Sequence, residues 1–429
     1  MHFEPRNRET SVIALPPEGL YCNQRIMNTR ARYFIVMCST AVVALLLLGG
    51  VVTKGAEKSS NDNVYKHLSV YSEVLSRIKS EYVEEPDMNS VTLGALNGLL
   101  EAIDPYASYL NAAHYKEYLK NFDTFKGDVG MVLAKKFGYI TIVSVVPGSP
   151  ADKAGLTTGD FLETLKGVGT RDMPLAYARL LLKGEPGTEA EMTVLRRKPE
   201  PQALKLTRAV LTYPPVESKM LADNVGYIKA ASLASGRAKE VGTAAAGLAK
   251  QGAQRIVLDL RFCATGDPEE GIELANQFLD KGLITYTVGQ KYPRKDFNAD
   301  PKKMVSSLPL VILTNRGTAA AAEVAAAALQ KNKRAGVVGE RTYGEASILR
   351  PINMEDGSAI ILSVAKYYSP DAKSIQDNGV TPDELVADPD TAGGGSPDDD
   401  DDAPAAAPKK PSTGDAVLEK GIEAVRKRS

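Results

Sequence analysis

The sequence predicts a multidomain α+β protein in which an N-terminal transmembrane helix and a helical section precede a β-rich module and an α/β core. One long uncharged segment lies near the N-terminus, short alternating strands with glycine turns follow, and β-branched runs alternate with helices after residue 225. The 429 residues, 43% of them hydrophobic, suffice for two or three domains. Lysine plus arginine (52) nearly balances aspartate plus glutamate (53), which argues against nucleic acid as a partner.

The segment from Tyr33 to Thr53 carries no charge. At about 1.5 Å per residue a helix of this length crosses a hydrocarbon core of about 30 Å. We expect an uncleaved anchor, because the polar leader 1–32 is longer than a usual signal-peptide n-region and no small-x-small cleavage site follows; a cleaved signal peptide is the alternative. Arg25, Arg30 and Arg32 lie shortly before the span. The positive-inside rule then predicts a single-pass protein of the bacterial inner membrane with a cytoplasmic N-terminus and a periplasmic bulk.

Residues 54–122 are predicted to form a helical section that acts as a cap or a dimerisation element, which would allow a homo-oligomer. Apolar residues recur at three- and four-residue spacing from Val64 to Tyr82, and a second helix is predicted from Ser90 to Ile103. His67 and His114 lie in this section, but neither has a partner at ligand spacing. We therefore expect no metal site and no cofactor.

Residues 123–210 alternate short β runs with glycine turns, and a strand is predicted from Tyr139 to Val146. Three pieces follow one another at defined spacing: Gly148-Ser149-Pro150-Ala151, Ala154-Gly155-Leu156 and Gly159-Asp160. This order resembles a PDZ domain, a β-sandwich or barrel that adds a peptide strand to its sheet edge and holds the peptide's terminal carboxylate with backbone N–H groups. The resemblance assigns this loop and edge strand to Val129, Gly130, Met131 and Val132. A PDZ fold kept only for packing is the alternative.

Residues 211–388 are predicted to form the α/β core, because continuous β-branched runs between helices indicate a sheet covered on both faces. The remaining residues, 389–429, contain a low-complexity acidic tail that is predicted to be disordered. A last amphipathic stretch from Asp415 to Lys427 is predicted to be helical. The sequence does not indicate what this helix packs against.

The strand, turn and helix that begin at Val311 resemble the core of the carboxyl-terminal processing (tail-specific) peptidases. The resemblance implies a ClpP/crotonase-like fold and a serine endopeptidase without cofactor. In this family a serine at a helix N-terminus attacks the peptide, and a lysine with a pKa lowered by burial is the general base. The family's turn has the pattern Asn-x-Gly-Ser-Ala-Ser-Ala-x-Glu, and the matching residues here are Asn315, Gly317, Ala319, Ala321 and Glu323. Ala320 occupies the nucleophile position.

Two further parts of the family pattern are altered. The motif Gly-Lys-Gly-Ser-x-Gln appears as Gly344-Glu345-Ala346-Ser347-Ile348-Leu349, so Glu345 occupies the base position and Leu349 that of the helper glutamine. The Asn-Pro-Gly-Gly segment near the oxyanion hole appears as Cys263-Ala264-Thr265-Gly266. Gly266 and Ala321 are the oxyanion-region residues that remain.

The joint loss of nucleophile, base and helper predicts a pseudoprotease that binds protein C-termini or a paralogous active protease as an envelope scaffold or regulator. Two alternatives stay open. The first is an active PDZ-containing endopeptidase that uses Cys263, Thr318 or Ser347, although no histidine follows His114 to activate them. The second is a structural envelope partner held through the N-terminal helices or the acidic tail.

Overall fold

The computed structural model describes residues 33, 37, 39, 40, 58–122, 124–136, 138–171, 173–196, 200–388 and 414–428. They fall into two compact units, one within Met1–Met88 and one within Asn89–Ser429. The predicted membrane span from Tyr33 to Thr53 lies outside the described residues, apart from Tyr33, Met37, Ser39 and Thr40, which are helical. Over the residues that are described, no helix is both long and apolar enough to cross a membrane.

The first unit contributes helix α1 (Lys58–Glu81), which begins six residues before the predicted helix and ends one residue before its predicted end at Tyr82. Its apolar side chains Tyr65, Leu68 and Val74 are exposed.

The second unit begins at the second residue of helix α2 (Met88–Glu101) and continues with strand β1 (Ser108–Leu110) and helix α3 (Ala112–Asn121). Strand β1 pairs antiparallel with a strand of the core, Ser108 opposite Ile361. The section predicted as purely helical therefore also supplies a strand.

The β-rich module contains one main antiparallel sheet, a separate pair of short strands and two helices. Its elements are β2 (Gly127–Asp128), β3 (Met131–Lys136), β4 (Tyr139–Val145), α4 (Pro150–Lys153), β5 (Phe161–Leu165), β6 (Val168–Gly169), α5 (Leu175–Leu182), β7 (Glu189–Leu195), β8 (Gln202–Thr207) and β9 (Ala209–Val210). The sheet order is β3-β4-β5-β7-β8, so β3 lies at an edge and pairs only with β4. Alternating apolar residues fill the interior, where Leu133, Ile140 and Leu162 are buried. This is the mixed strand and helix arrangement that the glycine-turn pattern predicts.

The core is built around a six-stranded sheet of order β10-β11-β12-β15-β16-β19. Neighbouring strands in this sheet are parallel, except for β10 and β11, which pair antiparallel. The core elements are β10 (Glu217–Met220), β11 (Val225–Lys229), α6 (Arg237–Lys250), β12 (Arg255–Asp259), α7 (Pro268–Asn276), β13 (Leu283–Gly289), β14 (Tyr292–Asn298), β15 (Leu310–Thr314), α8 (Ala321–Lys331), β16 (Ala335–Gly339), β17 (Ser347–Asn353), β18 (Ala359–Tyr368) and β19 (Glu384–Leu385). Strands β12, β15 and β16 form its buried centre, as their β-branched runs predict.

A second sheet, of order β1-β18-β13-β14 with β17 paired to β18, was not predicted from the sequence. Its strands alternate between buried and half-exposed residues, as in β18, and β14 carries charged residues at Arg294, Lys295 and Asp296. Such strands lack the continuous apolar run that marks the central sheet.

The C-terminal helix α9 (Ala416–Arg426) packs on the six-stranded sheet. Its Val417 and Val425 are fully buried against residues that include Leu313 and Val338. This helix, which the sequence assigned to the tail, is thus part of the core. Residues 389–413, which are predicted to be disordered, lie outside the described ranges.

Candidate functional site

The turn after strand β15 is held by the buried side chain of Asn315. Its carbonyl oxygen accepts hydrogen bonds of 3.0 Å from the backbone N–H groups of Phe262 and Gly317. Its amide nitrogen donates to Asp388 at 3.0 Å. The turn is thereby fixed to the loop after β12 and to the end of the core.

Ala320, at the nucleophile position, directly precedes helix α8 and has φ 54° and ψ −121°. A residue with a Cβ adopts such a positive φ only at a cost of about 1–3 kcal/mol, and such strain clusters at functional sites. The residue lies at the N-terminus of a helix, where the helix dipole favours negative charge. The backbone thus has the geometry of a nucleophile turn, but the side chain is a methyl group.

The carboxylate of Glu323 connects the two positions that the dyad would occupy. One oxygen accepts the backbone N–H of Ala320 at 3.1 Å and that of Glu345 at 2.8 Å. The other accepts the N–H of Gly344 at 2.6 Å and the hydroxyl of Thr342. Glu323 is fully buried, and burial raises its pKa to about 7 although these hydrogen bonds lower it.

Glu345, at the base position, forms an ion pair with Arg179 of helix α5 in the β-rich module. The guanidinium Nη2 lies 3.2 Å from the Glu345 Oε1, and 29% of the arginine and 18% of the glutamate side chain are exposed. A lysine base would instead place a second cation beside Arg179. The base position therefore carries an anion paired with a cation, whereas a Ser-Lys dyad has an amine at this position.

Leu349, at the helper position in β17, is half-buried against two apolar clusters, one in the β-rich module and one containing Leu110 and Tyr115. Its side chain has no group that could orient a base by hydrogen bonding.

Two tyrosines beside Glu345 were not predicted as site residues. Burial, followed by the charge of Glu345, raises the pKa of both Tyr106 and Tyr343. Tyr106 lies just after helix α2, far from the motifs in sequence. Tyr343 directly precedes Gly344 of the altered motif, and this adjacency is the sequence signal that could have identified the pair.

Close backbone packing constrains the oxyanion-region residues. Gly266 has φ +123°, and a Cβ there would clash with the carbonyl oxygen of Leu233. The N–H of Ala319 donates to the carbonyl of Cys263 at 3.0 Å, which joins this loop to the nucleophile turn. Ala321, the first residue of α8, is fully buried.

None of the three alternative nucleophiles has a side-chain base as hydrogen-bond partner among the described residues. Cys263 is fully buried, and burial raises the pKa of its thiol to about 12. The hydroxyl of Thr318 donates to the Leu260 carbonyl at 2.9 Å and accepts from the Asn315 N–H at 3.1 Å. Ser347 accepts a hydrogen bond of 2.9 Å from Ser363. The described ranges also contain no cluster of histidine, cysteine or carboxylate side chains suited to a metal ion.

The β-rich module packs directly against this site. Ala264 and Ala319 belong to the same apolar cluster as the interior of the module. The hydroxyl of Ser144 in β4 donates to the carbonyl of Phe262 at 2.7 Å. The β-rich module therefore contacts the loop and the turn that surround the former dyad positions.

The predicted peptide-binding loop lies at the start of strand β3. Val129 is fully buried, and Met131 and Val132 are half-buried. Gly130 has φ +85°, a value that favours glycine, and a Cβ there would clash with Ser149. Its N–H donates to the carboxylate of Asp128 at 2.9 Å.

Comparisons with known proteins agree with this architecture. Residues 224–386 match the sequence model of Peptidase family S41, and residues 141–196 match that of the PDZ domain. The carboxy-terminal processing protease CtpA of Bacillus subtilis (strain 168) is 32% identical over 377 residues, which cover 85% of this chain and 79% of that protein.

A second relative, the carboxyl-terminal-processing protease of Synechocystis sp., is 32% identical over 321 residues, covering 73% of this chain and 75% of that protein. Among solved structures, the photosystem II D1 C-terminal processing protease superposes with a TM-score of 0.61 at 26% identity, over 74% of this chain and 92% of that chain.

Proposed function

Because the chain belongs to the carboxy-terminal processing protease family, with a Peptidase family S41 core and a PDZ domain, we propose that it is a catalytically inactive member. In this proposal it binds protein C-termini, or a paralogous active protease, as a scaffold or regulator of the bacterial envelope. The observation that carries the proposal is the pair of residues at the dyad positions, Ala320 and Glu345.

Chemistry supports inactivity at each of these positions. A methyl group has no lone pair with which to attack a carbonyl, so Ala320 cannot form an acyl intermediate. Glu345 forms an ion pair with Arg179 and has no amine that could serve as the base of a Ser-Lys dyad. The strained backbone at Ala320 and the bridging carboxylate of Glu323 remain, so the scaffold is kept where the chemistry is lost.

Binding is supported by features that a PDZ domain uses for peptides. Strand β3 has one unpaired edge, and the loop before it contains the glycine that a carboxylate-binding turn requires. A terminal carboxylate and a short extended peptide are the chemistry that such an edge recognises. The ligand class is therefore the free C-terminus of a protein.

The location is proposed from the sequence alone. The uncharged segment from Tyr33 to Thr53 and the arginines before it favour a single-pass inner-membrane anchor with the peptidase-like core in the periplasm. The helical section after the anchor is the part that we propose for self-association.

A proteolysis assay tests the proposal. The full chain, purified in mild detergent, is incubated with unfolded casein and, separately, with serine- and cysteine-directed covalent probes, and CtpA of Bacillus subtilis is the positive control. We expect intact casein and no labelling. Casein degradation that a Gly266→Ala variant abolishes would establish an active peptidase with unrecognised catalytic groups and overturn the proposal.

A further inference from the structure

The space between strand β3 and helix α5 is where a peptide would add to the sheet of the PDZ domain. The side chain of Arg179, on α5, crosses this space and donates from Nη2 to the backbone carbonyl of Leu133 at 2.8 Å. A helix residue thus already makes a hydrogen bond to the strand edge.

The carbonyl of Leu133 belongs to the free edge of β3. Leu133 lies opposite Ile142 of β4. Ile142 directs its N–H to Asp160 and its carbonyl to the N–H of Gly159, both on the far side of β4. The two residues therefore form a non-hydrogen-bonded pair, and the backbone groups of Leu133 point away from β4. An added peptide strand would need the same carbonyl as its acceptor.

The same nitrogen of Arg179 also lies 3.2 Å from the carboxylate of Glu345. A lysine at position 345 would repel the guanidinium from this place, whereas the glutamate attracts it. At the other end of the edge, the N–H of Gly130 is taken by Asp128. The Leu133 carbonyl and the Gly130 N–H, which a bound peptide would use as acceptor and donor, are thus already hydrogen-bonded to side chains of this chain.

We propose that the Arg179–Glu345 ion pair is a latch on the PDZ groove: a C-terminal peptide must displace Arg179 from Leu133, and the residue at the former base position thereby sets the groove's affinity. This inference rests on the proposed peptide binding. It assigns Glu345 a positioning role, through Arg179, that does not depend on catalysis. The peptide's backbone N–H replaces the guanidinium at the Leu133 carbonyl, and its terminal carboxylate replaces Asp128 at Gly130.

Two measurements on the full chain in detergent test the latch. The first is fluorescence anisotropy with a labelled pool of eight-residue peptides that have an apolar last residue and a free α-carboxylate. The second, without peptide, is amide hydrogen exchange over residues 131–136. The variants are Glu345→Gln and, as a matched control, Glu191→Gln, which removes one exposed carboxylate from the same domain where it pairs with Lys205.

We expect Glu345→Gln to bind the pool about fivefold more tightly, the effect of losing one partly exposed ion pair, and to exchange faster in β3. Glu191→Gln should change neither quantity. In an Arg179→Gln background, Glu345→Gln should have no further effect on either quantity, because its action requires the arginine. An equal effect in that background, or unchanged exchange and affinity in Glu345→Gln, would overturn the latch. Altered exchange without peptide binding by any variant would show that Glu345 holds Arg179 on β3, but it would refute the proposed binding function and the latch together, whereas binding that Glu345→Gln leaves unchanged would refute the latch alone.

Discussion

The backbone N–H of Glu345 donates a hydrogen bond of 2.8 Å to the buried carboxylate of Glu323. The same carboxylate accepts the N–H of Ala320 at 3.1 Å. One side chain therefore fixes the distance between the two positions that a catalytic dyad would occupy, and it does so through backbone groups. This explains how the site can keep its shape after the side chains at both positions have changed.

Replacing Glu323 with alanine should destabilise the protein strongly. Three backbone N–H groups and the hydroxyl of Thr342 would lose their acceptor in a buried site, and each unsatisfied group costs about 1–3 kcal/mol before relaxation. We expect a loss of about 4 kcal/mol in urea unfolding. Glu273→Ala, at a half-exposed glutamate on α7, is the control and should cost less than about 1 kcal/mol. Equal losses in the two variants would contradict a bridging role.

The raised pKa of Glu323 predicts a specific pH dependence of stability. Its folded pKa of about 7 lies above the ordinary value of 4.5, so folding takes up a proton between these values. The stabilisation by protonated Glu323 is full below pH 4.5 and is lost as pH rises through 7. From pH 4 to 8 this contribution should fall by about 3 kcal/mol. Unfolding curves of Glu323→Gln should lack this component, and a variant with the same pH profile as the wild type would refute it.

Glycine at position 320 should stabilise the protein. The φ of 54° is unfavourable for alanine and accessible to glycine, so Ala320→Gly should raise the unfolding free energy by about 1 kcal/mol. Ala325→Gly, in the interior of helix α8, is the matched control and should lower it by about 1 kcal/mol. If Ala320→Gly were as destabilising as the control, the backbone at this position would not be strained.

The C-terminal helix should contribute to the stability of the core. Val425 is fully buried against the six-stranded sheet, so Val425→Ala should cost about 2 kcal/mol in thermal or urea unfolding. Leu385→Ala, at a side chain that is 79% exposed, should cost less than about 0.5 kcal/mol. A negligible loss at Val425 would mean that the helix does not pack on the core in solution.

The central sheet and the PDZ domain could be predicted because their signals are local. The runs at Ile256 to Leu258 and Val311 to Leu313 are continuously apolar, as expected for strands covered on both faces. The PDZ fold is likewise indicated by a short segment, because the glycine turns that mark it all lie between Gly148 and Asp160.

The second sheet and the partners of the site residues could not be predicted, because they depend on contacts between residues that are distant in sequence. Strands β17 and β18 present half-exposed residues whose pattern fits several structures, so their sheet was missed. Arg179 and Glu345 are 166 positions apart, and neither residue type at its position signals an ion pair. Tyr106 lies two residues before strand β1, which joins the core sheet by pairing with a strand more than 240 residues later. Such partners appear only once the chain is folded.

The most direct test of binding without cleavage is mass spectrometry of the bound ligand. The full chain in detergent is saturated with an equal mixture of the labelled eight-residue peptides and their C-terminally amidated counterparts, the complex is isolated, and the masses of the eluted peptides are measured. We expect intact peptides with free carboxylates to be retained and their amidated counterparts to be lost. Shortened peptides in the eluate, absent from a parallel incubation without protein, would show that the chain still cuts and would contradict the account.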